Sequence, residues 1–366
     1  MLVALGLCCA GAYAQPKRHT SLSIRGADFL INGTLTYPGR TWHGHRIEGL
    51  LFNARMVNGI FDDLNPETRS RWVYPDTHTW DPERNTREFL AAMPDWRAHG
   101  LLGFTINLQG GSPEGYSHAQ PWINSAFTPD GSLRPEYMAR LARILDRADE
   151  LGMVAIVGLF YQAQDRQLTS EAAVTHAVDN AAHWLLDRGY TNLLVEINNE
   201  CEQHYVNPIL QPERVHELIT RVRGITRKGR RLLVATSYGH AHPGAKVVEA
   251  EDVILVHGNG VKPPESLGEQ VRAIRRMPGG ADKPVVFNED DHTAFDEPVN
   301  NLTVAVSEHA SWGFFDYRRK GEPFAEGFQS VPGDWRIGSD RKRAFFNMVS
   351  EITGEGSSAG ATETTK

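Results

Sequence analysis

Cysteine is scarce: three residues among 366, two of them adjacent at Cys8 and Cys9. So few exclude a disulfide framework and a cysteine-rich metal site. Basic residues are not in excess either. Thirty-eight Lys and Arg against 45 Asp and Glu leave a net charge of −7. That balance argues against a partner held through its phosphates, so no nucleic acid is expected. No apolar run reaches the roughly 18 residues a membrane-spanning helix needs. No G-x-G-x-x-G comes after the first strand-like run, which argues against a dinucleotide site. No G-x-S-x-G elbow is present, so a serine nucleophile has no support. No Gly/Ser linker divides the chain, and no block repeats at the period of a solenoid.

The chain opens with an uncharged stretch, LVALGLCCAGAYA at 2–14, ending Ala12-Tyr13-Ala14. It reads as a secretory signal spanning 1–14, although the usual basic residues before it are missing. A buried N-terminal element is the alternative, and a lipid anchor at Cys8 or Cys9 is a further one. Removal of the signal would leave Cys201 alone in a secreted or periplasmic protein. The last stretch, 355–366, is small and polar and is expected to be disordered.

Between these ends, short apolar runs alternate with amphipathic segments. Strand-like runs occur at 50–53, 101–107, 153–160, 193–197, 231–236, 252–257, 284–288 and 312–315. Each is short and rich in Val, Ile, Leu or Phe, as strands buried on both faces are. Helical periodicity marks 83–98, 135–151, 170–187, 212–227, 265–277, 301–310 and 340–352. Eight such units predict an α/β fold, a single-domain (β/α)8 TIM barrel over 21–354. Residues 21–39 are expected to form a short β-hairpin capping the barrel bottom.

Barrel enzymes carry their chemistry where strands end and loops begin. The fourth run ends in Asn198-Asn199-Glu200 and the seventh in Asn288-Glu289-Asp290. Two glutamates on opposite sides of one mouth can flank a bound bond. Glycosidic cleavage needs such a pair, one carboxyl protonated to donate and one ionised to attack. Aromatic side chains can stack on sugar rings, which draws attention to Trp42, Trp72, Trp80 and Trp122 in predicted loops. Tyr116, Tyr161, Tyr238 and Trp335 come after strands two, three, five and eight. Asn107, Gln109, Gln162 and Gln164 are candidate partners for sugar hydroxyls. Trp96 and Trp184 lie on helical faces and read as core.

The Asn199-Glu200 step after strand four and Glu289 after strand seven resemble the clan A retaining glycoside hydrolases, which include the family 5 cellulases and mannanases. The opening Phe29-Leu30-Ile31-Asn32-Gly33 and Tyr37-Pro38-Gly39-Arg40 is similar to the start of many such domains. The resemblance implies Glu200 as acid/base, Glu289 as nucleophile, and Asn199 bonded to the sugar 2-hydroxyl. It implies His257 beside the site, Arg55 as the cation that keeps the nucleophile ionised, a β-glycan as substrate, and no cofactor. The family often closes strand eight with a sugar-stacking tryptophan. Here Trp312 opens that run, and it stands as the candidate for this role.

Fifteen histidines raise a competing reading. Metal-dependent amidohydrolase barrels use an H-x-H at strand one, a Lys at strand four and an Asp at strand eight. His43-Gly44-His45, His240-Ala241-His242, His257 and Asp316 invite that comparison. The first H-x-H precedes its strand, however, and strand four offers no Lys, so no metal site is expected. A carbohydrate-binding barrel without catalysis is the third reading, and the two glutamates count against it. The charged stretch Glu289-Asp290-Asp291-His292 reads as an ordinary polar loop.

Overall fold

The computed structural model describes residues 17–117, 119–239 and 242–355. The expected signal at 1–14 and the expected tail beyond Glu355 lie outside the described residues. The chain opens with a three-stranded antiparallel sheet, β1 (Leu22–Arg25), β2 (Asp28–Ile31) and β3 (Thr34–Leu35). A two-stranded ribbon comes next, β4 (Thr41–Trp42) and β5 (His45–Arg46). Then come the barrel strands: β6 (Asn53–Arg55), β7 (Gly103–Asn107), β8 (Val154–Phe160), β9 (Leu193–Asn198), β10 (Leu233–Ala235), β11 (Ser237–Tyr238), β12 (Ile254–His257), β13 (Val285–Asp290) and β14 (Ser311–Phe314). All are parallel, in the order β10-β9-β8-β7-β6-β14-β13-β12-β11.

The two ends of that order, β10 and β11, are separated in sequence by Thr236 alone. They are halves of one bent fifth strand, so the sheet closes into an eight-position barrel. The Thr236 hydroxyl satisfies the bend by donating to the Asn198 side-chain oxygen at 2.7 Å. Among the described residues, eight α-helices wrap the outside: α1 (Pro82–Ala98), α2 (Pro135–Leu151), α3 (Glu171–Asp187), α4 (Val215–Gly224), α5 (Ala245–Ala250), α6 (Glu265–Arg276), α7 (Asn301–Ser307) and α8 (Asp340–Thr353). The expected (β/α)8 architecture is present.

Local chemistry explains the boundaries. Every residue of β8 is buried, which suits its unbroken apolar sequence. Asp81, Ser170, Asn300 and Ser339 each cap a helix by accepting a backbone N–H. Helix α4 is shorter than the expected 212–227. Helix α5, six residues long, escaped the periodicity reading because it makes fewer than two turns.

The N-terminal sheet sits where helices return to strands. Leu22 N–H donates to Thr191 O, just before β9. Asp149, near the end of α2, accepts from the backbone of His19 and Thr20. The segment therefore closes the bottom as expected, with three strands rather than two. One continuous apolar cluster fills the barrel and the layer between sheet and helices. A smaller cluster of Phe61, Trp72, Trp122 and Val331 lies under the loops, with Trp80 against it. No helix among the described residues is long and apolar enough to cross a membrane.

Candidate active site

Glu289 reaches the barrel mouth because β13 is irregular. Its pairing with β12 runs Phe287 to Val256 and then jumps to Glu289 and His257. Asn288 is the extra residue of a β-bulge, which re-aims the side chains after it. Asp290 consequently turns outward, accepting from Trp312 Nε1 and Asn301 Nδ2, both at 2.8 Å. Glu289 turns inward and is 4% exposed.

Glu200 arrives differently. Strand β9 ends at Asn198, and Glu200 adopts φ +46°, the left-handed region that side-chain-bearing residues avoid. Such a conformation costs on the order of 1–3 kcal/mol and persists only where its surroundings enforce it. Here its N–H is held by Ser237 Oγ at 2.9 Å.

Arg55, the last residue of β6, joins the two carboxylate-bearing loops from beneath and is fully buried. Its Nε lies 2.7 Å from Glu289 Oε2 and 3.1 Å from Gln329 Oε1. Its Nη2 donates to Asn199 Oδ1 at 2.8 Å. Asn259 Nδ2 donates to Glu289 Oε1 at 2.8 Å. His257 Nδ1 sits 3.0 Å from Glu200 Oε1 and 3.5 Å from Glu289 Oε2. One oxygen from each glutamate and a His257 nitrogen all lie within 4.8 Å of one another. Gln162 bridges the other side, accepting from Asn199 Nδ2 at 3.2 Å and facing Glu200 Oε2 at 3.5 Å.

This geometry sets the electrostatics. Burial pushes the Glu289 carboxyl above its ordinary value, and Arg55 and His257 oppose that rise by favouring the anion. Burial alone would depress His257, but the facing charges of Glu289 and Glu200 outweigh it and raise the imidazole. Burial and the same carboxylates push the Tyr161 phenol up to about 12, so it stays a neutral donor. It is 3.2 Å from Ser112 Oγ.

Above the pair opens a cleft of about 470 Å³, lined by Tyr116, Tyr161, Gln162, Glu200, Asn259, Glu289 and Phe315 among others. The structure thus brings Glu200, Glu289, Asn199, His257, Arg55 and Tyr161 together. It places four other candidates elsewhere. Asn107 lies inside the barrel, where a Cβ on Gly158 would stand 2.2 Å from its Oδ1 and 3.4 Å from Glu196 Oε2. Tyr238 is buried beside the strand-five loop, its hydroxyl accepting from Gly244 N–H at 3.2 Å. Trp312 points out of the barrel and packs on Phe295 and Phe345. Trp335 packs on Phe89 and donates to Asn85 Oδ1 at 3.1 Å.

The loop tryptophans also have partners of their own. Trp72 donates to Asp63 and Trp80 to Asp62, at 2.8 and 3.0 Å, within the cluster beneath the loops. Asn259, Gln329, Ser237 and Phe315 were missed in the sequence. Asn259 stands two positions beyond the end of β12, and reading that far past each strand would have found it. Gln329 sits deep in a long loop with no local signal.

The alternative metal ligands are dispersed. His43 and His45 lie on the ribbon against α7 and α8. Asp316 is engaged by Arg341 at 2.7 Å. His240 lies outside the described residues. Glu200, His257 and Glu289 are close enough to share an ion. However, the Arg55 guanidinium already holds Glu289, and a dication there would face that fixed positive charge.

No protein-family model matches the chain, and no curated protein matches it in sequence. Solved structures do match in shape. An endo-1,4-β-mannanase from Rhizomucor miehei superposes with a TM-score of 0.55 at 10% identity, covering 91% of this chain and 99% of its own. A glycoside hydrolase family 5 mannosidase from the same fungus gives 0.53 at 12%, covering 93% and 98%. A broad-specificity endoglucanase from Bacteroides salanitronis gives 0.51 at 13%, covering 83% and 93%. The fold is that of the family 5 glycoside hydrolases. At such low identity the likeness establishes architecture, and chemistry has to be argued from the site itself.

Proposed function

We propose that this protein is a retaining glycoside hydrolase acting on β-linked glycans. The observation that carries the reading is the pair of buried glutamates at the ends of strands four and seven, with oxygens within 4.8 Å and facing a cleft. Retaining enzymes set their carboxyls about 5–5.5 Å apart, whereas inverting ones leave about 6.5–9.5 Å for a water. Glu289, held by Arg55 and Asn259, attacks the anomeric carbon. Glu200 protonates the departing glycosidic oxygen as the carbon–oxygen bond breaks. Glu200 then removes a proton from water, whose oxygen takes the anomeric carbon and releases Glu289. Asn199, oriented by Arg55 and Gln162, bonds a sugar hydroxyl during both steps. The uncharged stretch at 2–14 supports action outside the cytoplasm.

Reducing-sugar release from a panel of plant, algal and microbial β-glycans tests this. Glu200→Ala should lower turnover on the best glycan by about 10²–10⁴-fold. Glu289→Ala should abolish it, with both variants still folded by circular dichroism. Proton NMR of the first product should show the β-anomer. An α-anomer would sink retention, and full activity in Glu289→Ala would sink the assignment.

A further inference from the structure

The cleft is walled on one side. After β7 the chain does not stay near strand two. It crosses strands one and eight, and Tyr116 Oη donates to Asp291 Oδ2 at 3.0 Å, just beyond strand seven. The other oxygen of Asp291 accepts from Gly260 N–H at 3.2 Å, which ties in the strand-six loop. The crossing segment is stitched down along its length. Gln329 Nε2 donates to Ser112 O at 3.1 Å, and Val331 N–H to Pro113 O at 3.0 Å. Gly115 has φ +85°, and a Cβ on it would fall 2.4 Å from the Tyr317 ring, so only glycine lets the backbone approach so closely. The Tyr116 ring stands edge-on to Phe315 and Tyr317, with centroids 5.5 and 5.3 Å away. Tyr116 is nevertheless 54% exposed, one face turned to the cleft.

The proposed chemistry gives this wall a direction. The sugar that becomes bonded to Glu289 lies over strand seven, on the walled side. The group that leaves takes its proton from Glu200 and departs over strands three and four. There the border is Gln162, Gln203 and the exposed His204.

We infer that the wall of Tyr116, Asp291 and Phe315 leaves room for one sugar on the nucleophile's side, making this an exo-acting enzyme that releases single residues from non-reducing chain ends. The inference rests on the proposed retaining hydrolysis. Tyr116, backed by the buried Phe315, would supply the stacking surface that Trp312 does not, since apolar sugar faces pack on aromatic rings. Both Asp291 oxygens are already engaged, so it closes the wall rather than reacting.

The test uses the full chain on β-linked hexasaccharides of glucose, mannose, xylose and galactose, each labelled at the reducing end. Products are followed by mass from the first turnovers. Monosaccharide and labelled pentasaccharide should appear first, and the viscosity of the matching polymer should fall little. The double variant Tyr116→Ala/Asp291→Ala should release di- and trisaccharides early, raising their share at least tenfold. Early di- or trisaccharides from the unaltered enzyme would overturn the inference while leaving hydrolysis intact. An unchanged product pattern in the folded double variant would overturn the wall's role. No hydrolysis of any hexasaccharide or aryl β-glycoside would overturn the proposed function, and this inference with it.

Discussion

His257 is the residue on which the balance of the site turns. Its Nδ1 faces both carboxylates and is buried among them. Protonated, it lowers the pKa of Glu289, as does Arg55 on the other flank. Removing the imidazolium should therefore let Glu289 rise further. In the proposed mechanism Glu289 attacks only when ionised, so activity is lost as pH falls through its value. In His257→Gln the acid limb of kcat/KM should move to higher pH, by up to about one unit for a neighbouring charge of this kind. A pH–rate profile would check it. A limb that stayed in place or moved down would show that His257 carries no charge in the working enzyme.

At the level of elements, the loop after β6 holds its place by burying indoles whose N–H groups need acceptors. Asp63 accepts from Trp72 Nε1, Thr68 Oγ1 and the backbone of Ile123, linking the strand-one and strand-two loops. Asp63→Ala would orphan these donors, each unsatisfied buried group costing about 1–3 kcal/mol. The unfolding free energy from urea titration should drop by at least about 1 kcal/mol, and trypsin should cut within 64–81 faster than in the unaltered protein. Unchanged stability would mean that the cluster is held by apolar packing alone.

The same element scale explains how much the sequence could reveal. Strands covered on both faces are unbroken apolar runs, so the barrel was legible. Glu200 and Glu289 were legible as charges standing at the ends of two such runs. Side-chain direction was not. Trp312 sits on a legible strand, yet the parity of that strand turns it outward with Phe314, while Gly313 faces Asn53 within the barrel. The bulge at Asn288 left no signature, since an extra polar residue at a strand end reads as loop. Trp335 belongs to a long excursion after β14 whose path depends on contacts with α1, remote in sequence.

Across the whole molecule, the described fold is held chiefly by one continuous apolar core, with no disulfide among the described residues. Cys201 is a free, buried thiol, and burial pushes it above its ordinary value, so it is a poor nucleophile and metal ligand. The charges nearest the reaction are balanced without an ion: Arg55 beneath, His257 between, and two carboxylates above. A hydrolase built this way should not need a metal. EDTA should leave both the thermal midpoint and the turnover unchanged. Added Zn²⁺ should not raise turnover, because a dication among Glu200, Glu289 and His257 would face the fixed charge of Arg55. Assays with chelator and with Zn²⁺ distinguish the cases. Inactivation by EDTA with rescue by Zn²⁺ would overturn the carboxylate mechanism and restore the metal-dependent reading of the barrel.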